Sequence, residues 1–183
     1  MRIAFIGQKG VPATFGGIEH HVEEVGSRLA ARGHEVTVFC RTNYVAQRFP
    51  EYKGMRLVHL PTVGSKHLDA IAHSLLSTAT SIGRGFDVIH YHAIGPGALS
   101  PVARGATRAK VVQTIHGRDD ERAKWSRPAQ AMLRGAAWLS ARTPHATIVV
   151  SRWFRCTMEP SKLSAQCEQP GQPASQSGAN MKW

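Results

Sequence analysis

Residues 1–35 read MRIAFIGQKGVPATFGGIEHHVEEVGSRLAARGHE, and their pattern decides the fold. A short apolar run, Ile3 to Ile6, stops at Gly7. A loop with Gly10, Pro12 and the pair Gly16–Gly17 follows, and then Ile18, Val22, Val25 and Leu29 recur on one helical face. Strand, glycine loop and helix in that order bring backbone N–H groups up to a phosphate. Adjacent glycines leave no side chain in the way, and the helix dipole favours negative charge there. The spacing is neither the G-x-G-x-x-G of dinucleotide folds nor a P-loop ending in Gly-Lys-Ser/Thr. A longer loop with a glycine pair at the helix entrance suits a diphosphate lying across the helix start. Glycines before a helix also make plain turns, and the local pattern leaves both readings open.

Outward from this unit, strands and helical patterns alternate. Glu35–Arg41 reads as a strand, with Gly33 stopping the helix before it. Arg56–Leu60 is another, closed by Pro61. Leu68, Ile71, Ala72, Leu75, Leu76, Ala79 and Ile82 recur at helical spacing, which predicts a helix burying that apolar face. Asp87–Tyr91 reads as a strand, followed by a loop and short helix through IGPGALSPVAR. Lys110–Ile115 is a strand ending at His116–Gly117. Ser126–Arg142 suits a helix capped by Ser126 with Pro128 in its first turn, and Thr147–Val150 is a last strand. This alternation predicts an α/β fold, a Rossmann-like doubly wound parallel sheet with ligands beyond the C-terminal strand ends.

Composition narrows the function classes. The chain has 183 residues, 42% of them apolar, which suits one domain with a real core. No stretch approaches the roughly 18 apolar residues of a membrane span. The N-terminus runs directly into a strand pattern without a leader-like sequence. Three widely spaced cysteines, Cys40, Cys156 and Cys167, suggest neither a disulfide framework nor a zinc site, so a cytoplasmic location is expected. A net charge of +11 attracts anions of any kind. The basic residues are scattered and aromatics make up only 7%, so no nucleic-acid partner is expected.

Five segments in order resemble the N-terminal half of bacterial glycosyltransferases of family 4: IAFIGQKGVPATFGGIEHHVEEVGSRLAARGHEVTVFCR, LPTVGSKHLDAIAHSLL, DVIHYHAIGPG, VVQTIHGRDDERAKW and TIVVSR. That family comprises retaining enzymes of GT-B architecture, with two Rossmann-like domains. The resemblance implies a nucleotide-sugar donor, a glycan or lipid-linked acceptor, and no cofactor, since the nucleotide sugar is a substrate. Polysaccharide or glycolipid assembly is the implied setting, with peripheral contact at the inner face of the membrane. It places Gly16 and Gly17 at the donor diphosphate and His116 at the catalytic centre, touching the donor sugar rather than acting as a base.

Around these, Glu19 is read as supporting the glycine loop. Lys66, His67 and Asp69 at the opening of the long helix allow two readings: contact with an anionic acceptor or phosphate at the mouth of the cleft, or a solvated helix start with Asp69 on the dipole. Tyr91, Asp119 and Trp125 are read as bordering the acceptor groove. His90 and His92 share a strand face at metal-ligand spacing. No third ligand is apparent, however, and no metal is expected. His20 and His21 read as the polar face of the first helix.

From about Trp153 the sequence turns rich in Pro, Gln, Ser and Gly without periodicity, which predicts disorder. The expected organisation is a domain at 1–152 and a low-complexity tail at 153–183, of the kind a truncation or frame-shift produces. Donor-gripping elements of the second GT-B domain are missing, so weak or no activity is expected alone, with a separately encoded C-terminal domain as a partner. The alternative is a non-catalytic fragment or split subunit.

Overall fold

The computed structural model describes residues 1–44, 47–62, 68–117 and 127–150. Met1–Ile148 form one compact unit and Val149–Trp183 another, of which only Val149 and Val150 are described. The tail expected at 153–183 lies outside the described residues.

Strands β1 (Arg2–Ile6), β2 (Glu35–Arg41), β3 (Glu51–Tyr52), β4 (Met55–Leu60), β5 (Val88–His92), β6 (Lys110–Ile115) and β7 (Ala146–Val149) form one sheet in the order β3-β4-β2-β1-β5-β6-β7. Helices α1 (Gly17–Ala31), α2 (Leu68–Ser81), α3 (Ile94–Gly97), α4 (Ser100–Ala106) and α5 (Arg127–Arg142) connect them. β1 pairs in parallel with both β2 and β5, β2 with β4, and β5 with β6, whereas β3 runs antiparallel to β4. From β1 the chain winds outward to β4, then returns to β5 on the other side of β1. The topological switch therefore lies between β1 and β5, where an open α/β sheet leaves a crevice at its C-terminal edge.

Both faces of the central strands β1, β2, β5 and β6 are largely buried, which is why these strands are apolar at consecutive positions, whereas β7 at the edge is exposed. Ile3, Phe5, Val36, Val38, Met55 and Leu57 pack with Val22, Ile18, Val25 and Leu29 of α1. Ala4, Ile6, Phe39, Ile89 and Val111 face the other way, toward Ala103 of α4. Each large side chain so buried contributes about 1.5–3 kcal/mol. α1 comes close to the sheet at Gly26, where a Cβ would press on the Met55 sulfur and on Phe5. It ends as Gly33 predicts, with Gly33 N–H donating to the Ala30 carbonyl at 2.9 Å and His34 N–H to Leu29 at 3.2 Å.

Helix α2 reverses the expectation. Its apolar stripe points outward: Ile71 is 44% exposed, Leu75 50%, Leu76 37% and Ile82 37%. The buried face is His73, Ser74, Ser77, Thr78 and Ser81. Those hydroxyls are satisfied inside the helix. Ser74 donates to the Ala70 carbonyl, Ser77 to His73, Thr78 to Ser74 and Ser81 to Thr78, all at 2.7–2.8 Å. A hydroxyl that bonds its own preceding turn can be buried without an orphaned donor. Among the described residues, no helix is long and apolar enough to cross a membrane.

Candidate functional site at the C-terminal edge of the sheet

The loop after β1 is held by short contacts. Gly7 has φ +115, and a Cβ there would collide with the His92 carbonyl and stand 2.9 Å from Pro96 Cγ. Only glycine lets the loop pass this close to the start of α3. Buried Gln8 donates its amide to the Phe5 and Phe39 carbonyls at 2.9 and 3.0 Å. Glu19, also buried, accepts the Lys9 N–H at 3.1 Å, and Glu23 accepts that of Ala13 at 2.7 Å. The Tyr44 hydroxyl receives the Thr14 and Phe15 N–H groups at 3.0 and 3.2 Å and donates to the Phe15 carbonyl at 2.8 Å.

The loop ends at the start of α1, where the Glu19 carboxylate lies against Gly16 so closely that a Cβ there would collide with it. Gly16 is the N-cap with φ +96, and no side chain caps the helix. A Cβ on Gly17 would meet nothing within 4 Å. The first-turn N–H groups have no partner within the helix, and they stand at its positive end.

Four histidines cluster here, one on this helix and three beside it. His92 ends β5, His116 follows β6, and His21 stands in the second turn of α1. His92 Nδ1 is 3.3 Å from His116 Nε2. The His21 ring lies 4.7 Å from that of His116 and 5.8 Å from that of His92, centroid to centroid. His90 stacks on His92 at 4.3 Å, and both meet Phe5 edge-on at 5.2 and 5.0 Å. The His90 Nε2 pairs with Thr114 Oγ1 at 2.7 Å.

Burial dominates the electrostatics of these rings. It lowers the pKa of His21, and burial followed by the neighbouring His21 brings His116 down to about 4. His90 falls to about 4 and His92 well below its ordinary value, through burial first and the other rings second. The rings are thus uncharged near neutrality, each with one donor and one acceptor nitrogen. An imidazole with a pKa near 4 is a poor general base at pH 7 and a good hydrogen-bonding contact.

The remaining sequence-derived residues divide three ways. Gly16, Gly17, Glu19 and His116 border the C-terminal edge of the sheet. Asp69 is engaged in an ion pair with Arg41 at 2.9 Å, with side chains only 14% and 11% exposed. Tyr91 does not border a groove: it is fully buried, and its hydroxyl pairs with Thr78 Oγ1 at 2.9 Å, facing α2. β-strand alternation turns Tyr91 away from the side of the sheet that His90 and His92 share. Lys66, His67, Asp119 and Trp125 lie outside the described residues.

His21 is the residue that sequence reasoning misplaced. It is half-buried against His92 and His116 rather than on the polar face of α1. The signal was present, since Ile18, His21, Val22 and Val25 form an i, i+3, i+4, i+7 set.

The model of the family described as "Glycosyltransferase Family 4" matches residues 15–163. The chain belongs to glycosyltransferase family 4. Among solved structures, sucrose-phosphate synthase from Thermosynechococcus elongatus is similar with a TM-score of 0.70 and 19% identity, over 87% of this chain and 44% of that one. A second structure of that synthase is similar with a TM-score of 0.60 and 17% identity, over 86% of this chain and 81% of the other. The chain thus spans less than half the length of the first of these structures. No curated protein sequence matches it. The fold is that of a Rossmann-like domain of the GT-B glycosyltransferases.

Proposed function

We propose that this chain is the acceptor-side domain of a retaining glycosyltransferase, which moves a sugar from a nucleotide-sugar donor to a glycan or lipid-linked acceptor. The observation that carries the reading is the uncapped start of α1 at Gly16–Gly17, joined to His116 through His21 at 4.7 Å. A diphosphate laid across the first turn of α1 meets backbone N–H groups and the positive end of the helix dipole. His116, uncharged, donates or accepts one hydrogen bond to the transferred sugar. The acceptor attacks on the face the nucleotide leaves, and the departing phosphate takes the acceptor proton.

A second domain supplies the opposite wall of the cleft, so this chain alone turns over little or no donor. Positioning and preorganised charge provide much of a transferase's rate, and both need a closed cleft. The outward stripe of Ile71, Leu75 and Leu76, on a chain of net charge +11, supports peripheral contact with an anionic membrane face in the cytoplasm.

The test is an NMR titration of the purified chain with UDP, GDP and inorganic pyrophosphate. The expected result is saturable shifts of the Gly17, Ile18 and Glu19 amides, lost in Gly17→Ala. Unmoved amides at millimolar ligand would overturn the phosphate site. Measurable sugar transfer by the chain alone would overturn its dependence on a second domain.

A further inference from the structure

We propose that His21, His92 and His116 bind a divalent transition-metal ion of the zinc type at the C-terminal edge of the sheet. One nitrogen from each ring lies within 4.8 Å of the others. The three come from α1, β5 and the residue after β6, so the tertiary structure alone assembles them. A zinc ion with Zn–N bonds of about 2.0–2.1 Å sets tetrahedral ligand nitrogens roughly 3.3 Å apart. The His92 Nδ1 to His116 Nε2 distance is already 3.3 Å. His21 needs only to swing its half-buried ring inward from an otherwise regular helix.

The surroundings favour a held ligand set. His92 is fully buried, stacked on His90 at 4.3 Å and braced by the edge of Phe5. Its Nδ1 faces His116, while its Nε2, on the other side of the ring, is buried without a partner among the described residues. His21 and His116 keep some exposure, which gives an ion its path and leaves a fourth position for water or a ligand oxygen. Three imidazoles without a carboxylate suit zinc, copper, nickel or cobalt and not magnesium or calcium, which take oxygen ligands. The inference does not rest on the transferase reading, although it uses His116.

The experiment uses the untagged full chain, stripped with a chelator and titrated with Co²⁺ and then Zn²⁺. One Co²⁺ per chain should bind with the visible absorption bands of a four- or five-coordinate site, and Zn²⁺ should displace it. His21→Ala should weaken binding by about tenfold or more, the lower end of what losing even an indirect ligand support costs. His20→Ala, an exposed neighbour, should bind as the parent does. Melting curves of the metal-free variants check that both fold. His21 carries the test because substituting the buried His92 risks the fold itself. Absence of the visible bands, or equal Co²⁺ affinity in the His21 and His20 variants, would overturn the site.

Discussion

Arg41 at the end of β2 and Asp69 in the first turn of α2 are 2.9 Å apart, in a pair that water hardly reaches. The contact joins one guanidinium nitrogen, Nη1, to one carboxylate oxygen. Arg41 Nε and Asp69 Oδ1 are buried without partners among the described residues. The pair joins the end of β2 to the first turn of α2.

Removing one partner of such a pair strands the other charge. Asp69→Ala should lower unfolding stability by about 3 kcal/mol, whereas Arg41→Met with Asp69→Leu should recover most of that loss. Urea denaturation of the three proteins measures this. A double variant no better than the single one would show that the pair itself holds α2.

The glycine loop separates fold from function. Gly17→Ala fills open space in the first turn of α1 and should keep or raise stability, by up to about 1 kcal/mol. Gly7→Ala, at φ +115 and against the His92 carbonyl, should cost about 3 kcal/mol or more. Thermal melts of both decide it, and the prediction fails if the two variants melt together.

Stability should fall as the solution is acidified, partly through His73, which is fully buried in α2. Burial and then the Arg41 charge push its pKa from 6.5 to about 4, against smaller upward pulls from the Cys40 carbonyl and Asp69. Above pH 6.5 the ring is neutral in both states and adds no pH dependence. Between 6.5 and 4 the unfolded chain takes the proton and the folded one does not, so stability drops as pH falls. This ring contributes about 1.4 kcal/mol per pH unit in that window. His73→Leu should flatten the curve of stability against pH by that amount. An unchanged slope would remove His73 from the account.

Tyr91 belongs to the core. Thr78 Oγ1 already donates to the Ser74 carbonyl, so the Tyr91 hydroxyl is the donor in their 2.9 Å bond. Tyr91→Phe removes that donor without orphaning Thr78 and should cost about 1 kcal/mol. The phosphate-induced shifts at Gly17 should be unchanged. A variant as stable as the parent but with altered ligand response would return Tyr91 to the cleft.

Much of the fold was legible in the chain. Glu35–Arg41 and Lys110–Ile115 are bounded as their apolar runs indicate, and Gly33 ends α1 by a local rule of backbone conformation. The two-residue β3 was not legible: two residues carry no period, and only pairing with β4 makes them a strand. The buried face of α2 was misread because periodicity shows which residues share a face, not which neighbour that face meets. Tyr91 was misread for a related reason. Its strand position was right, but both faces of a covered parallel sheet are buried, and sequence does not say which one borders the ligand.

The sequence by itself determined the alternating α/β pattern, the glycine loop with its open helix start, and membership in glycosyltransferase family 4. The pattern and the loop depend on contacts within one element or one turn, which local spacing encodes, and the family shows in segments spread over residues 15–163. The tertiary structure decided that α2 turns its hydroxyls inward and Leu75 and Leu76 out. It also brought His21, 71 positions before His92 and 95 before His116, against both rings. Those outcomes depend on the order in which strands pair. Only parallel pairing of β1 with β5, and of β5 with β6, draws such distant side chains to one edge.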